Sequence, residues 1–204
     1  MTIKIWNFPR GARGVRLFWQ CEEMGLAYQA EAVSFPVSDA YAKLNPIGNV
    51  PFLQDGEVAI NESVAIMFYL AERYGPTPLL PKDDPVALAR VLQLTVFSEA
   101  SLGAFVNTLL MAKFGGATEA DKQNWSVRAQ DSRVDQFVDY VVKTLGDRPY
   151  LVGSSLTLAD IAISTSLGVW VGALGRVLPP SLAAYQERLH ALPTYQRARD
   201  KQQR

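Results

Sequence analysis

The chain has 204 residues, enough for one large domain or two small ones. Lys plus Arg equals Asp plus Glu at 20 each, so there is no basic surplus of the kind a nucleic-acid binder needs to meet phosphates. One cysteine, Cys21, excludes an internal disulfide. The first six residues lack the basic and apolar regions of a signal peptide, and no run approaches the ~20 apolar residues of a membrane span. A cytoplasmic protein with no membrane and no nucleic-acid partner is expected.

The first third mixes strands and helices. Residues 3–6 read as a strand. Residues 14–24 carry Leu17, Phe18, Cys21 and Met24 at helical spacing and stop at Gly25, a suitable residue just past a helix end. Residues 28–33 read as a strand. Residues 39–44 read as a short helix, which ends before Asn45-Pro46 because a residue preceding proline avoids the α region. Pro51-Phe52-Leu53 and Val58-Ala59-Ile60 are brief strands around Asp55-Gly56, and residues 61–74 form a helix. The order is βαβαββα.

Residues 75–85 contain four prolines and a glycine and cannot continue that helix. Beyond them the patterns are helical: 86–114, 120–145, 157–170 and 181–191, then a short tail. The 157–170 segment is almost wholly apolar and is expected at the centre. Thr157-Leu158-Ala159-Asp160 opens it as a capping box with Asp in place of Glu. The division expected is residues 1–75, a linker over 76–85, and an all-helical domain over 86–204.

Three segments carry polar chemistry. In Asn49-Val50-Pro51, a cis bond before Pro51 would turn the Val50 backbone outward, where a peptide-like ligand can pair with it; an ordinary edge-strand proline is the plainer alternative. Glu62-Ser63 opens a helix whose free N–H groups favour a carboxylate, while Glu62 suits an ammonium; simple capping is the alternative. Asn7-Phe8-Pro9-Arg10-Gly11-Ala12-Arg13-Gly14-Val15-Arg16 is glycine-bearing and positive, and suits a thiolate; a solvated basic turn is the alternative. Cys21 falls on an apolar helix face and reads as packing. One histidine, His190, makes a zinc site or a Ser-His-Asp triad hard to assemble, so no metal site is expected.

Taken together these motifs resemble the glutathione transferase family. Leu44-Asn45-Pro46-Ile47-Gly48-Asn49-Val50-Pro51-Phe52-Leu53 is similar to its N-P-x-G-x-V-P-x-L segment, and Glu62-Ser63 to the E-S pair that follows. Pro149-Tyr150-Leu151-Val152-Gly153 with Leu156-Thr157-Leu158-Ala159-Asp160 resembles its second-domain signature, and Glu22-Glu23-Met24-Gly25-Leu26 the end of its first helix. The resemblance implies an α/β plus all-α protein: an N-terminal thioredoxin-like βαβαββα domain and a C-terminal all-helical domain. It implies a homodimer with glutathione as co-substrate and a small hydrophobic electrophile as second substrate, held between the 7–13 loop and the 86–114 helix. By the same resemblance Val50 pairs with the cysteinyl part of glutathione, Pro51 is cis, Glu62 and Ser63 hold the γ-glutamyl end, and Asn49 reaches the glycyl end.

The family places Tyr, Ser or Cys in or beside the first loop. Residues 6–14 offer no hydroxyl or thiol. Thiolate stabilisation is therefore expected from Asn7, Arg10 and Arg13, since a donor or positive potential suffices. The alternative is a non-catalytic glutathione- or ligand-binding protein of the same fold.

Overall fold

The computed structural model describes residues 2–9, 13–116 and 118–202. They form two compact units, one of positions up to Leu80 with the segment from Arg188 onward, the other Pro81–Glu187.

The first unit is built on a four-stranded sheet in the order β2-β1-β3-β4. Its strands are β1 (Ile3–Asn7), β2 (Tyr28–Ala32), β3 (Phe52–Asp55) and β4 (Val58–Asn61). β1 runs parallel to β2 and antiparallel to β3, and β3 and β4 form a hairpin in register Asp55 to Val58. A parallel pair needs a crossover, which α1 (Val15–Glu23) supplies. The hairpin turn needs a positive φ, and Gly56 takes φ 61. Alternation along β1 buries Ile3, Ile5 and Asn7 together, which turns a polar side chain onto the apolar face.

Seven consecutive residues of α1, Val15 to Cys21, are buried, because neighbours cover more than one of its sides. α2 (Asp39–Leu44) starts at Ser38, whose Oγ accepts from Tyr41 N at 3.2 Å. α3 (Ser63–Arg73) meets α1 where Gln20 Nε2 donates to Met67 O at 2.9 Å. The Asp55 carboxylate accepts from the hydroxyls of Tyr69 and Tyr74, pinning β3 to the far end of α3.

The C-terminal tail departs from the expected division. It is a helix, α10 (Pro193–Gln202), and it packs on α1 within the first unit. Trp19 meets the Tyr195 ring edge-on at 4.9 Å between centroids. Glu22 accepts from Arg197 Nε at 2.7 Å and lies 3.0 Å from Lys201 Nζ, which also sits 3.8 Å from the Tyr28 ring centroid. Burial would raise the Glu22 carboxyl, but Arg197 and Lys201 hold it below its ordinary value. The aromatic residues of α1 fix the tail's place, which its polar composition does not reveal.

Among the described residues, the second unit contains helices and no strand. α4 (Pro85–Phe97) begins with proline in its first turn and Asp84 as cap, Oδ1 accepting from Val86 N and Ala87 N at 3.0 Å each. A π-helical segment, Ser98–Gly103, joins it to α5 (Ala104–Phe114). Thr95 and Ser98 hydroxyls donate back to carbonyls of their own helix at 2.6 and 2.7 Å, and Ser166 Oγ donates to Ser98 O at 2.9 Å. Such competing bonds accompany a widened turn. The continuous helix Pro85–Phe114 has 30 residues and, contrary to the reading of the sequence, is long and apolar enough to cross a bilayer by length and composition. Its Val91, Leu94, Leu102, Val106 and Leu109 are buried, and it packs on the two long helices that follow.

The expected 120–145 helix is two: α6 (Glu119–Lys122) and α7 (Trp125–Leu145). Asn124 intervenes as a cap, Oδ1 accepting from Val127 N at 3.0 Å. Trp125 is exposed, whereas Trp170 is buried. α8 (Leu158–Leu174) is the buried centre, and α9 (Pro180–His190) follows it.

The capping box of α8 is formed. Asp160 Oδ2 accepts from Thr157 N at 2.9 Å and Thr157 Oγ1 at 2.8 Å, and Oδ1 from Leu151 N and Tyr185 Oη at 2.8 Å each. Burial pushes this carboxyl up, and the four donors oppose the shift. Removing the carboxylate strands buried donors, so Asp160→Ala should cost ~3 kcal/mol or more, read as a lower denaturant midpoint.

Cys21 is fully buried, and burial pushes its thiol up to about 12 from 9.0. The folded chain then keeps a proton that the unfolded chain loses, so this residue's contribution to stability is complete below pH 9 and falls as pH rises toward 12. A disulfide reagent should leave the native protein unlabelled at pH 8 and label it fully in denaturant. Fast native labelling would show an accessible thiolate.

Candidate functional site

The start of α3 has the most unusual local geometry in the first unit. Glu62, just before the helix, has φ 68 and ψ 103, the sole positive φ of a non-glycine residue among those described. Such a conformation costs ~1–3 kcal/mol and persists where the surroundings impose it, often at a ligand site. The Glu62 side chain makes no capping bond to the helix. The first N–H groups of a helix have no intrahelical partner and carry the positive end of its dipole, and those of α3 lie beside the exposed Glu62.

Ser63 is the first residue of α3 and only 3% exposed. Its Oγ accepts from the Arg16 guanidinium, Nη1 at 3.0 Å, and Arg16 is 0% exposed. Because the oxygen accepts this bond, the Ser63 hydroxyl hydrogen is left to donate. The arrangement unites a buried cation, a hydroxyl donor and a helix N-terminus, and suits a carboxylate. From sequence, Arg16 is one of the three arginines that make the first loop positive, with no separate role. Its signal was Arg16 and Gln20 one helical turn apart, a polar stripe on the side of α1 that faces α3.

The second wall is the 45–51 segment. The Val50-Pro51 bond is cis, as expected from the resemblance. The Val50 side chain packs on the Val33, Tyr41 and Phe52 cluster with Trp6 and Phe8, so its position is fixed by apolar contact. Asn45 is buried and organises the turn: its Nδ2 donates to Asn49 O at 2.8 Å and Asn49 Oδ1 at 2.9 Å, and its Oδ1 accepts from Asn61 Nδ2 at 3.3 Å. Tyr41 Oη adds a bond to Asn49 O at 2.6 Å. Through Asn45, the turn carrying Asn49, Val50 and Pro51 is tied to the residue preceding Glu62. The structure thus brings together five expected residues, Asn49, Val50, Pro51, Glu62 and Ser63. The Asn49 amide oxygen is engaged inside the turn by Asn45 Nδ2.

The first loop differs from expectation at Asn7. Its side chain is 3% exposed and turned into the loop: Oδ1 accepts from Gly14 N at 3.2 Å, and Nδ2 donates to Phe8 O at 3.0 Å. The Gly14 donor fixes which end is oxygen. A Cβ at Gly14 would lie 2.2 Å from Asn7 Cγ, so this glycine exists for close approach. Strand alternation explains the direction, since Asn7 shares the inward face with Ile3 and Ile5. Asn7 thus ties the end of β1 to the entrance of α1. Arg13 stands half-buried just before α1, and Arg10 lies outside the described residues.

Comparison with known proteins agrees with this geometry. The family model of the glutathione S-transferase N-terminal domain matches residues 1–72, and that of the C-terminal domain residues 102–193. Glutathione S-transferase theta-1 of Bos taurus is 33% identical over 162 residues, covering 76% of this chain and 67% of that protein. A theta class glutathione S-transferase from Xanthomonas axonopodis pv. citri, solved with glutathione bound, is 28% identical. It superposes with a TM-score of 0.79 over 97% of this chain and 96% of that one. A delta-class glutathione transferase of Nilaparvata lugens is 26% identical, with a TM-score of 0.82 over 99% and 95% of the two chains. With both domains matched and the first relative above 30% identity, the chain belongs to the glutathione S-transferase family.

Proposed function

We propose that this protein binds glutathione along the first unit and promotes attack of its thiolate on a small hydrophobic electrophile. The observation that carries the reading is the start of α3, where Ser63 is held by a fully buried Arg16 beside the positive-φ Glu62. The γ-glutamyl carboxylate accepts from the Ser63 hydroxyl and the free N–H groups of α3, and Glu62 meets the adjacent ammonium. The Val50 backbone pairs with the cysteinyl residue as an added strand would, next to Pro51. Asn49 donates to the glycyl carboxylate. In the reaction the sulfur forms a bond to an electrophilic atom of the second substrate, and that substrate's leaving group or π electrons take up the displaced pair. The family assignment favours this transferase over a non-catalytic binding protein.

The expected working form is a cytoplasmic homodimer serving detoxification. Phe35 and Ile47, 86% and 70% exposed on the first unit, leave apolar surface that a second copy would cover.

Ser63→Ala should weaken glutathione binding by ~1–3 kcal/mol, a partly buried charged hydrogen bond being lost. Calorimetry giving the parent affinity would remove Ser63 from the site.

The thiolate is stabilised by Arg10 or Arg13 with the N-terminus of α1, whose first turn Asn7 holds in place. Lowering the thiol pKa by one unit takes ~1.4 kcal/mol, within reach of one charged contact. The ultraviolet absorbance of bound thiolate, titrated against pH, is the measure. Arg10→Ala or Arg13→Ala should raise the thiol pKa with glutathione still bound, and Asn7→Ala should raise it by loosening the loop. An unchanged pKa in all three would leave the chemistry to a backbone amide.

A further inference from the structure

The two walls of the proposed glutathione site grow out of the open end of one hairpin. β3 and β4 pair in register down to Phe52 and Asn61, and the ladder stops there. The next residues give the reason. Pro51 has no N–H to donate, and Glu62 turns off the strand with φ 68. Val50 and Ser63, assigned to the cysteinyl and γ-glutamyl parts of the ligand, therefore lie past the last backbone pair, one on each branch.

Each branch is pinned to a different helix. Ser63 is held to α1 by Arg16, Nη1 donating to Oγ at 3.0 Å. The turn of Asn49 and Val50 is held to α2, where Tyr41 Oη donates to Asn49 O at 2.6 Å. A side-chain bond ties the branches together: Asn61 Nδ2 donates to Asn45 Oδ1 at 3.3 Å. Chemistry fixes its direction. Asn45 Nδ2 donates to the Asn49 carbonyl at 2.8 Å, and a carbonyl can only accept, so the Asn45 amide presents its oxygen to Asn61. Asn45 is 1% exposed, so loss of the Asn61 donor leaves a buried acceptor unsatisfied. Two branches fixed to different helices keep one separation where such a bond joins them, and that separation measures the length of whatever spans them.

We propose that Asn61, acting through Asn45, is a positioning residue that sets the span between the γ-glutamyl and cysteinyl contacts. It thereby selects a thiol peptide whose first residue is linked through a side chain of γ-glutamyl length. This selection presupposes glutathione as the ligand, as proposed above. The amino-acid end of the ligand must reach Glu62 and Ser63 while its cysteinyl backbone meets Val50. A β-aspartyl analogue carries the same carboxylate, ammonium and thiol but is one methylene shorter between the two contacts. A rigid span rejects it, and a span free to close accepts it.

Calorimetry of the full chain with glutathione and with β-aspartyl-cysteinyl-glycine tests the assignment. The parent should prefer glutathione by about tenfold or more, the scale on which one methylene discriminates. Asn61→Leu keeps nearly the same side-chain shape and removes the donor. It should weaken glutathione by roughly fivefold, the worth of one hydrogen bond, and narrow the preference to about threefold or less. Ser63→Ala removes a contact common to both peptides and should weaken both alike, with the parent's preference kept. Asn61 is half-buried at the end of β4, and a cooperative thermal melt will show that the variant folds. The parent's preference retained in Asn61→Leu would overturn the proposal while leaving glutathione as the ligand. A parent that binds neither peptide would overturn the glutathione reading and this one with it.

Discussion

A guanidinium with no exposure at all is the constraint around which the first unit is arranged. Taking such a charge from water costs several kcal/mol unless hydrogen bonds and packing compensate. Arg16 meets that requirement in part through Ser63 Oγ at 3.0 Å, which fixes the first turn of α1 against the first turn of α3. The alignment places other groups. Gln20, one turn further along α1, reaches Met67 O, and Gly14 at the head of α1 closes onto Asn7. The same contact occupies the Ser63 oxygen as an acceptor and leaves its hydroxyl hydrogen to donate. A packing requirement between two helices and the polarity of a binding site are thus one feature.

The second unit uses a buried group of opposite sign in a similar way. Asp160 gathers four donors from the 151 backbone, Thr157 and Tyr185, so three separate stretches of chain converge on one carboxylate. Apolar contact around α8 is strong but non-directional, and many side chains there are of similar volume. A carboxylate with fixed donors admits one register. Breaking either network leaves partners unsatisfied in a low dielectric, which is why such groups constrain a fold more than their net contribution to stability suggests.

Much of this was legible in the sequence where local rules decide. The change of periodicity across the prolines, the helix stop before Asn45-Pro46 and the box at Thr157 each follow from backbone sterics or capping. The gathering of Asn49, Val50, Pro51, Glu62 and Ser63 was legible through the family resemblance. What escaped reading depends on tertiary contact. Arg16 sits in a basic, glycine-bearing stretch that reads as solvated, and only α3 makes its burial favourable. Asn7 reads as a donor for a thiolate, and its burial at the end of a strand whose odd positions point inward shows only in the fold. Asn45 belongs to a recognisable motif, yet its bonds run to Asn61, sixteen residues away.

The tail shows why composition misleads most where a surface helix covers a core helix. Pro193–Gln202 has one buried residue, Ala198, and its basic and amide side chains suggest a solvated end. But α1 is buried on several sides, and Trp19 has no exposure at all. Tyr195 of the tail covers it, and His190 stacks on the Tyr195 ring with centroids 4.1 Å apart. Burial lowers His190 to about 4, so the stack is uncharged near neutral pH and no ion is trapped in it. The Glu22 pairs with Arg197 and Lys201 lie at the exposed margin, where ion pairs are worth ~0–1 kcal/mol. Aromatic burial therefore holds the tail, and the charges set its register. The last helix of the chain thereby becomes a wall of the unit that carries Arg16 and the proposed glutathione site.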